Sequence, residues 1–419
     1  MTAAVGAHQA PSRVIVVGAG MVGLSCAWSL QDHGIEVCVL DRERAGAGSS
    51  WGNAGFVSPA LAVPLPEPSI LRYGVGAVLR PGSPVQLLLQ TDPQLLKFMA
   101  GLVRHCTADA WRTAMLAYRP LNERVFDSYQ RQRDAGVDAA VVEADVLSCF
   151  EHPHEATGLL YELEGIVGSG QPVSVELLTS DEAHDYEPHL SERVTLAVKI
   201  RGQRYLTPSV YVGALADHVR KRGGEILEQT VVTGVERRGG VLVVRSPVGD
   251  MEADAVVLAS GAWLSALARP HGVRVPVYAG RGYSFSLPCA EPLKGPVHFP
   301  STRVAATPQG DRVRLAGIME FGSPDAAARP DRITSMVRSV RPLLDGVDWD
   351  RRADDWMGPR PLTTDGLPLV GESRTPGLFV AGGHGMWGVT MGPLTGWLLA
   401  DRIATGVTPS ELRPLDPCR

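Results

Sequence analysis

The residues with the clearest chemistry form a glycine motif near the beginning of the sequence. Gly18, Gly20 and Gly23 follow a short apolar run, and Asp41 stands after the next apolar run. In such a motif the first glycine makes a tight turn, the second lets a pyrophosphate approach the backbone, and the third allows close helix–strand packing. A helix N-terminus attracts phosphate, and the acidic side chain can accept hydrogen bonds from a ribose. The spacing therefore predicts dinucleotide binding.

A second stretch, GSSWGNAGFVSP from Gly48 to Pro59, favours FAD over NAD as the dinucleotide. It consists mostly of small and polar residues and has neither strand nor helix periodicity. FAD is long, and its isoalloxazine ring must lie far from the first glycine turn. Ser49 and Ser50 would offer hydroxyls and amides to the pyrophosphate or the ribityl chain, while the backbone of 53–55 would pass close to the flavin. The alternative interpretation is a surface loop rich in turn residues.

Arg360 stands between two prolines in the stretch WMGPRPLTTDGLPLVG. Each proline fixes φ and lacks a backbone donor, so the arginine is held on a stiff segment. A rigidly held guanidinium is suited to bidentate binding of a carboxylate. Arg360 is therefore a candidate for binding a carboxylate, with a surface or structural ion pair as the alternative. Asp365 and Gly366 are interpreted as turn residues.

Further candidates lie in the stretch LFVAGGHGMWGVTMGP and in PVYAGRGYSFSLP. The glycine-rich turn and the last helix, predicted to begin at Pro393, can stabilise negative charge on the pyrimidine side of a reduced flavin. His384 is either a base or a histidine that fixes this turn. Tyr278 or Tyr283 could hold the carboxylate or cover the substrate, and Trp387 could form a wall of the side-chain pocket. Ordinary packing is the alternative for all three aromatic residues.

The composition of the chain argues against several classes of function. The 419-residue chain is 44% hydrophobic and 20% charged, with a net charge of −5 and no basic block, which argues against nucleic acid as a partner. The six cysteines are scattered without a CxxC pair, so we predict free thiols in a reducing cytoplasm and no metal site. Neither a secretory signal nor an apolar run long enough to span a membrane is found.

The elements that must position these residues begin with a βαβ unit. The glycine motif connects an apolar strand to a helix that ends at about Gly34, and Glu36–Leu40 forms the next strand. Parallel strands covered by helices are expected from this order. The other predicted elements are a loop over 60–86, helices over 92–133, a helix from Pro208 to Gly223 with Thr207 as N-cap, strands over 230–235, 241–245 and 254–259, and an antiparallel sheet over 273–321.

Three apolar strands that each end in glycine are far apart in the sequence: VIVVGAG, AVVLASGAW and LFVAGG. We therefore predict an α/β fold in which a GxGxxG, Rossmann-like FAD-binding domain is assembled from three segments. An inserted α+β substrate domain carries the antiparallel sheet. The predicted FAD-binding segments are 12–62, 205–264 and 358–406, the substrate domain comprises 63–204 and 265–357, and 1–11 is a flexible tail.

Five stretches together resemble the D-amino-acid dehydrogenase branch of the D-amino-acid oxidase and glycine oxidase superfamily of FAD enzymes: VIVVGAGMVGLSCAWSL, GSSWGNAGFVSP, TDPQLLKFMAGLVRHC, WMGPRPLTTDGLPLVG and LFVAGGHGMWGVTMG. The resemblance implies noncovalent FAD and oxidative deamination of a D-amino acid, including cyclic ones such as D-proline or hydroxyproline. Hydride transfer from Cα to flavin N5 would give an imino acid and then a 2-oxo acid. The resemblance also assigns the substrate carboxylate to Arg360.

Two other functions stay open. The run MWGVTMGPLTG is closer to members like glycine oxidase, so a glycine or sarcosine oxidase that uses oxygen is one alternative, and a non-catalytic flavoprotein sensor is the other. The electron acceptor is a quinone, a dye or oxygen. The stretch DPQLLKFMAGLVRHC is amphipathic enough to contact a membrane surface, although a buried helix also fits it. The predicted FAD-binding residues are Gly18, Ala19, Gly20, Met21, Val22, Gly23, Asp41, Arg42, Ser49, Ser50, Asn53, Ala54, Gly55, Val232, Ser260, Gly261, Gly383, His384, Gly385, Gly388, Val389 and Thr390.

Overall fold

The computed structural model describes residues 9–68, 85–87 and 92–419. Its described strands form a six-stranded sheet, a ten-stranded sheet and a small three-stranded sheet, with helices packed against them. The fold is therefore mixed α/β and includes a large, mainly antiparallel sheet, which confirms the predicted fold class.

The strands are β1 (Arg13–Val17), β2 (Glu36–Leu40), β3 (Phe56–Val57), β4 (Val85–Leu87), β5 (Val142–Phe150), β6 (Val175–Thr179), β7 (Leu196–Tyr205), β8 (Glu225–Leu227), β9 (Gly234–Arg238), β10 (Val241–Arg245), β11 (Met251–Ala253), β12 (Ala255–Leu258), β13 (Val277–Pro288), β14 (Val297–Phe299), β15 (Val304–Gln309), β16 (Arg312–Phe321), β17 (Ala353–Thr363), β18 (Leu369–Glu372) and β19 (Leu378–Gly382).

The α-helices are α1 (Met21–Asp32), α2 (Pro93–His105), α3 (Ala108–Asn122), α4 (Val125–Asp134), α5 (Thr157–Gly168), α6 (Ser180–Tyr186), α7 (Pro208–Lys221), α8 (Leu264–Ala268), α9 (Pro330–Val340) and α10 (Gly388–Thr405). Short 3-10 turns lie between several of them, including Gly261–Trp263 after β12. The helices predicted over 92–133 correspond to α2, α3 and α4, and the helix predicted from Pro208 corresponds to α7.

The six-stranded sheet has the order β18-β19-β12-β1-β2-β8, and all neighbours except β18 and β19 run parallel. The central strand β1 is fully buried at Val14, Ile15 and Val16, as expected for a strand covered on both faces. Helix α10 lies against α1 at Gly396, where a Cβ atom would lie 2.3 Å from the carbonyl carbon of Ser25. This close approach holds the last helix beside the glycine motif.

The ten-stranded sheet has the main order β17-β13-β16-β15-β14-β5-β7-β3, with β4 paired to β16 and β6 to β7. Its neighbours are antiparallel except for β14 with β5 and β16 with β4. Buried residues such as Phe285, Leu315 and Val304 form its core, with Ile333 and Met336 of α9 packed against them. This sheet carries Arg360 on β17, next to β13.

Two predicted boundaries were wrong. The last helix begins at Gly388 and contains Pro393, because the hydroxyl of Tyr129 donates to the carbonyl of Val389, which the proline nitrogen cannot do. The strand predicted over 230–235 begins only at Gly234, since the amide of Thr230 instead donates to the carbonyl of Asp41, at 2.7 Å. The loop predicted over 60–86 falls partly outside the described residues.

Candidate active site

A cavity of about 400 Å³ lies at the carboxyl ends of β1, β2 and β12. In parallel sheets this edge is the usual place for a ligand, since turns and helix N-termini converge there. The site residues predicted from the sequence that line it are Gly18, Gly20, Met21, Val22, Asp41, Arg42, Ser49, Ser50, Asn53, Val232, Ser260, Gly261, Arg360, His384, Gly385, Gly388 and Val389.

The glycine motif has the geometry that a close-fitting phosphate ligand requires. Gly18 has a φ of +115°, and a Cβ atom there would lie 2.4 Å from the carbonyl oxygen of Ala259. A Cβ atom on Gly23 would lie 1.9 Å from the carbonyl oxygen of Gly18, so this glycine serves helix–strand packing and does not line the cavity. Met21 and Val22 place the first turn of α1 at the cavity, where the positive end of the helix dipole favours an anion.

Asp41 connects the glycine turn to the chain that follows β2. Its Oδ2 atom accepts a 2.7 Å hydrogen bond from the amide of Ala19, and its Oδ1 atom accepts one of 2.8 Å from the amide of Glu43. Ala19 itself does not line the described cavity. The carboxylate therefore helps to hold the glycine turn in place, in addition to facing the cavity where a ribose would lie.

The stretch after β2 is attached to helix α1 and to strand β17 of the ten-stranded sheet. The Oγ atom of Ser50 accepts a 3.0 Å hydrogen bond from the amide of Met21, and the hydroxyl of Ser49 donates to the carbonyl of Pro359. Asn53 accepts a 2.8 Å bond from the amide of Gly55, whose φ of +84° brings its backbone against Leu206. Ser49, Ser50 and Asn53 line the cavity, whereas Ala54 and Gly55 do not.

Arg360 lines the cavity without an acidic partner. Its Nη1 atom donates a 2.7 Å hydrogen bond to the carbonyl of Ile318, and no carboxylate of the described residues lies within 4.0 Å of its guanidinium. Burial lowers the pKa of Arg360 to about 10, which still leaves the side chain charged at neutral pH. A cation in this setting, with carbonyl groups as its protein acceptors, can bind an anionic ligand.

The carbonyl that holds Arg360 belongs to an irregular part of β16. Ile318 has a φ of +49°, which is rare for a β-branched residue, and its amide donates to the carbonyl of Arg303, which has a φ of +56°. The pairing of β13 with β16 shifts register at this point. The sequence contains no signal for this arrangement, because isoleucine normally disfavours it.

Neither predicted tyrosine reaches the cavity. Tyr283 is buried, and its hydroxyl lies 3.2 Å from a carboxylate oxygen of Glu320. Tyr278 donates a 2.8 Å hydrogen bond to Asp92 and stacks on Phe98. Both hydroxyls are bonded to protein carboxylates, as the alternative of ordinary packing implies, and a contact of either tyrosine with the substrate stays a prediction.

His384 and Trp387 lie in the turn before α10. A 2.9 Å hydrogen bond joins Nε2 of His384 to Oγ1 of Thr395, and burial lowers the pKa of His384 to about 4. The imidazole is therefore neutral at physiological pH, which favours the turn-fixing role. The indole of Trp387 donates a 2.7 Å bond to the carbonyl of Val63 and lines a second, much smaller cavity together with Gly383.

Thr390 is buried away from the main cavity, where its hydroxyl donates to the carbonyl of Phe56 at 3.0 Å. Sequence reasoning missed several lining residues, most of which lie within stretches that it had already singled out. Thr230 was assigned to a strand, and Trp263 stands in a turn that only the fold brings to the cavity. The missed residues also include Pro361, Ala381, Gly382 and Met386.

A search of the helices within the described ranges finds none that is both long enough and apolar enough to cross a lipid bilayer.

The comparisons with known proteins agree with this geometry. The DAO family model, described as FAD dependent oxidoreductase, matches residues 13–402. The D-amino acid dehydrogenase of Phenylobacterium zucineum is 30% identical over 400 residues, which cover 93% of each chain. That of Methylobacterium nodulans is 31% identical over 413 residues, covering 95% of this chain and 96% of the relative.

Solved structures share the fold. Glycine oxidase from Geobacillus kaustophilus has a TM-score of 0.74 at 24% identity, covering 97% of this chain and 99% of that one. L-proline dehydrogenase from P. horikoshii has a TM-score of 0.71 at 17% identity, covering 98% of both chains.

Proposed function

Because the chain belongs to the DAO family of FAD-dependent oxidoreductases, we propose that it oxidatively deaminates a D-amino acid. The family match also confirms the resemblance and the FAD cofactor that the sequence predicted. The name of the curated relatives, D-amino acid dehydrogenase, supports the choice of substrate class.

The cofactor site of the proposal consists of residues that fit FAD. The cavity lies over the Gly18 turn and the first turn of α1, where a pyrophosphate is favoured, and Asp41 faces it for the ribose. It continues past Ser49 and Asn53 to Arg360 and Gly385, which leaves room for a long dinucleotide. No covalent-attachment motif is recognised in the sequence, so we propose that the FAD is noncovalent.

The main structural support for the proposal is the position of Arg360. It is a charged side chain without an acidic neighbour among the described residues, and it shares one cavity with the glycine motif. A substrate carboxylate would supply the charged partner that this buried guanidinium does not have among the described residues. An amino acid bound in this way places its Cα next to the cofactor cavity.

The protein residues bind and orient the substrate and need not remove a proton from Cα. FAD supplies the acceptor for the hydrogen and the electron pair that leave Cα. Since the pKa of His384 is lowered to about 4, its neutral imidazole keeps the glycine turn in place through Thr395. The substrate amine must be neutral for oxidation, and the released imine hydrolyses in water to a 2-oxo acid and ammonia.

We propose a quinone or dye, rather than oxygen, as the electron acceptor. Helix α2 exposes Leu96 and Val103, which lie seven residues apart on one face and are 67% and 52% exposed. Lys97 and Arg104 lie beside them. An apolar face next to cations suits peripheral contact with the surface of an anionic membrane, where quinones are dissolved.

The test is an anaerobic screen of D- and L-amino acids, with the loss of the oxidised-flavin absorbance as the readout. Bleaching by D-amino acids, cyclic or linear, supports the proposal. Bleaching by glycine or sarcosine together with stoichiometric peroxide in air would support the amine oxidase instead. Flavin that stays oxidised with every amino acid would indicate a sensor.

A further inference from the structure

The rim of the cofactor cavity carries a contact among three side chains that come from separate segments. Arg42 follows β2, Trp263 ends the turn after β12, and Asp325 lies between β16 and α9. The Cζ atom of Arg42 lies 4.2 Å from the centroid of the Trp263 ring. We name these three residues the latch.

Asp325 joins the other two members through a single oxygen atom. Its Oδ1 atom accepts a 3.2 Å hydrogen bond from Nη2 of Arg42 and a 3.0 Å bond from Nε1 of Trp263. Arg42 and Trp263 both line the cavity, whereas Asp325 does not. The aspartate therefore holds the two rim residues together from outside.

The latch connects the two chain segments that follow the neighbours of β1. Strands β2 and β12 flank β1 on opposite sides, so the chains that follow them are about 10 Å apart. The contact between Arg42 and Trp263 closes this gap above the carboxyl end of β1, where Gly18 makes its turn. Because Gly18, Arg42 and Trp263 line the same cavity, a ligand on the glycine turn would lie beside this contact.

The strength of the latch suits reversible closure. The side chains of Arg42 and Asp325 are 42% and 57% exposed, so water competes for the ion pair and salt screens it. An exposed cation–π contact is also weak. A contact of this strength can open without unfolding either sheet.

We propose that Asp325 controls the rate at which FAD leaves the protein by keeping Arg42 and Trp263 closed over the cavity. The inference rests on FAD binding and is independent of which substrate is oxidised. It assigns a role in cofactor retention to a residue outside the cavity, in the segment that joins the second sheet to helix α9.

The experiment measures FAD release from oxidised, substrate-free holoprotein after dilution, followed by the recovery of free-FAD fluorescence. Asp325→Ala should release FAD about three- to tenfold faster than the native protein, since an exposed ion pair and an exposed cation–π contact are each modest. Asp325→Asn, which keeps an acceptor for Trp263 but lacks the charge facing Arg42, should be intermediate. In about 1 M salt, where the Debye length is about 3 Å, the native rate should approach that of Asp325→Asn.

Asp331→Ala is the matched control, because it removes an exposed, arginine-paired aspartate six residues along the chain. It should release FAD at the native rate. Equal rates for Asp325→Ala and the native protein, or the same acceleration in Asp331→Ala, would overturn the proposal. Because no substrate is present, failure of the role proposed for Arg360 would not change these rates, and the two proposals can fail separately.

Discussion

The guanidinium of Arg360 is held by the carbonyl of Ile318, with 2.7 Å between Nη1 and the carbonyl oxygen. Ile318 has a positive φ of 49°, a conformation that costs a non-glycine residue about 1–3 kcal/mol. The surrounding strands must offset this cost, because Ile318 is bonded through its amide to Arg303 as well. Two segments of the antiparallel sheet thus fix the direction in which the arginine side chain points.

Gly282→Ala should disturb this arrangement without unfolding the protein. A Cβ atom at Gly282 would lie 2.3 Å from Nη2 and 2.4 Å from Cζ of Arg360, and the far end of a flexible side chain can move away. A shift of about 1 Å in a substrate-positioning group can cost roughly a hundredfold in rate. We expect a raised KM and a lower kcat/KM for the amino acid, measured by steady-state kinetics with a dye acceptor, and an unchanged FAD content.

Gly280→Ala is the control for this prediction. It adds a Cβ atom on the same strand that would meet Leu362 and Met319 instead of the arginine. Its kcat/KM should fall less than that of Gly282→Ala. Equal losses would mean that the strand, not Arg360, was disturbed.

Arg360→Ala should lower kcat/KM, because the substrate carboxylate is then left without its charged partner. The loss should correspond to roughly 2–5 kcal/mol of transition-state stabilisation. Arg360→Lys should recover only part of the loss, because an ammonium cannot hold both carboxylate oxygens in one plane. Neither variant should lose FAD. An amine analogue without the carboxylate is the control, and it should be a poor substrate that the substitution hardly affects. If both substrates slow down equally, Arg360 does not bind the carboxylate.

The sequence predicted the parts of the site that depend on local geometry. Gly18 is needed where its φ is positive and Gly23 where a Cβ would collide with backbone, and both requirements appear as a motif with fixed spacing. Arg360 was identified through its flanking prolines. The contact between Asp325 and Trp263 joins residues far apart in the sequence, and no spacing could indicate it.

The sequence could not show contacts that join segments far apart in the chain. Tyr278 and Tyr283 were selected because they lie on the predicted antiparallel sheet of the substrate domain, and the structure places both on β13, next to β17. Strand periodicity could not show that Asp92 and Glu320 would occupy their hydroxyls, since these partners come from α2 and from the paired strand β16. Propensity likewise could not predict that Ile318 adopts a positive φ, because the register shift that stabilises it is a property of the whole sheet.

Asp41→Ala should weaken FAD binding by roughly 1–3 kcal/mol, the usual loss for a hydrogen bond that involves a charged group. The structure adds a second effect, because the amides of Ala19 and Glu43 lose their acceptor and the glycine turn loosens. Asp41→Glu should be milder. Equilibrium titration of the apoprotein with FAD measures the change, and full FAD retention by Asp41→Ala after extensive dialysis would exclude a ribose contact.

The stability of the protein should fall in acid partly because of His384. Burial lowers the pKa of His384 to about 4, from the usual 6.5 of a histidine in an unfolded chain, so the unfolded chain binds a proton that the folded protein does not between these two pH values. Stability from this group is therefore complete above pH 6.5 and is lost as the pH falls toward 4. His384→Gln keeps a polar group toward Thr395 but cannot be protonated.

The free energy of unfolding of the native protein and of His384→Gln should be compared by urea titration in excess FAD, from neutral pH down to about pH 5. The native protein should lose up to about 1.4 kcal/mol more than the variant for each pH unit below 6.5, because each unit of pKa difference corresponds to that free energy. The pKa of His298 is also lowered to about 4 by burial, but it contributes equally to both proteins and cancels in the comparison. Parallel pH curves would show that the pKa of His384 is not lowered in the folded protein, which would return it to consideration as an acid or base near the substrate.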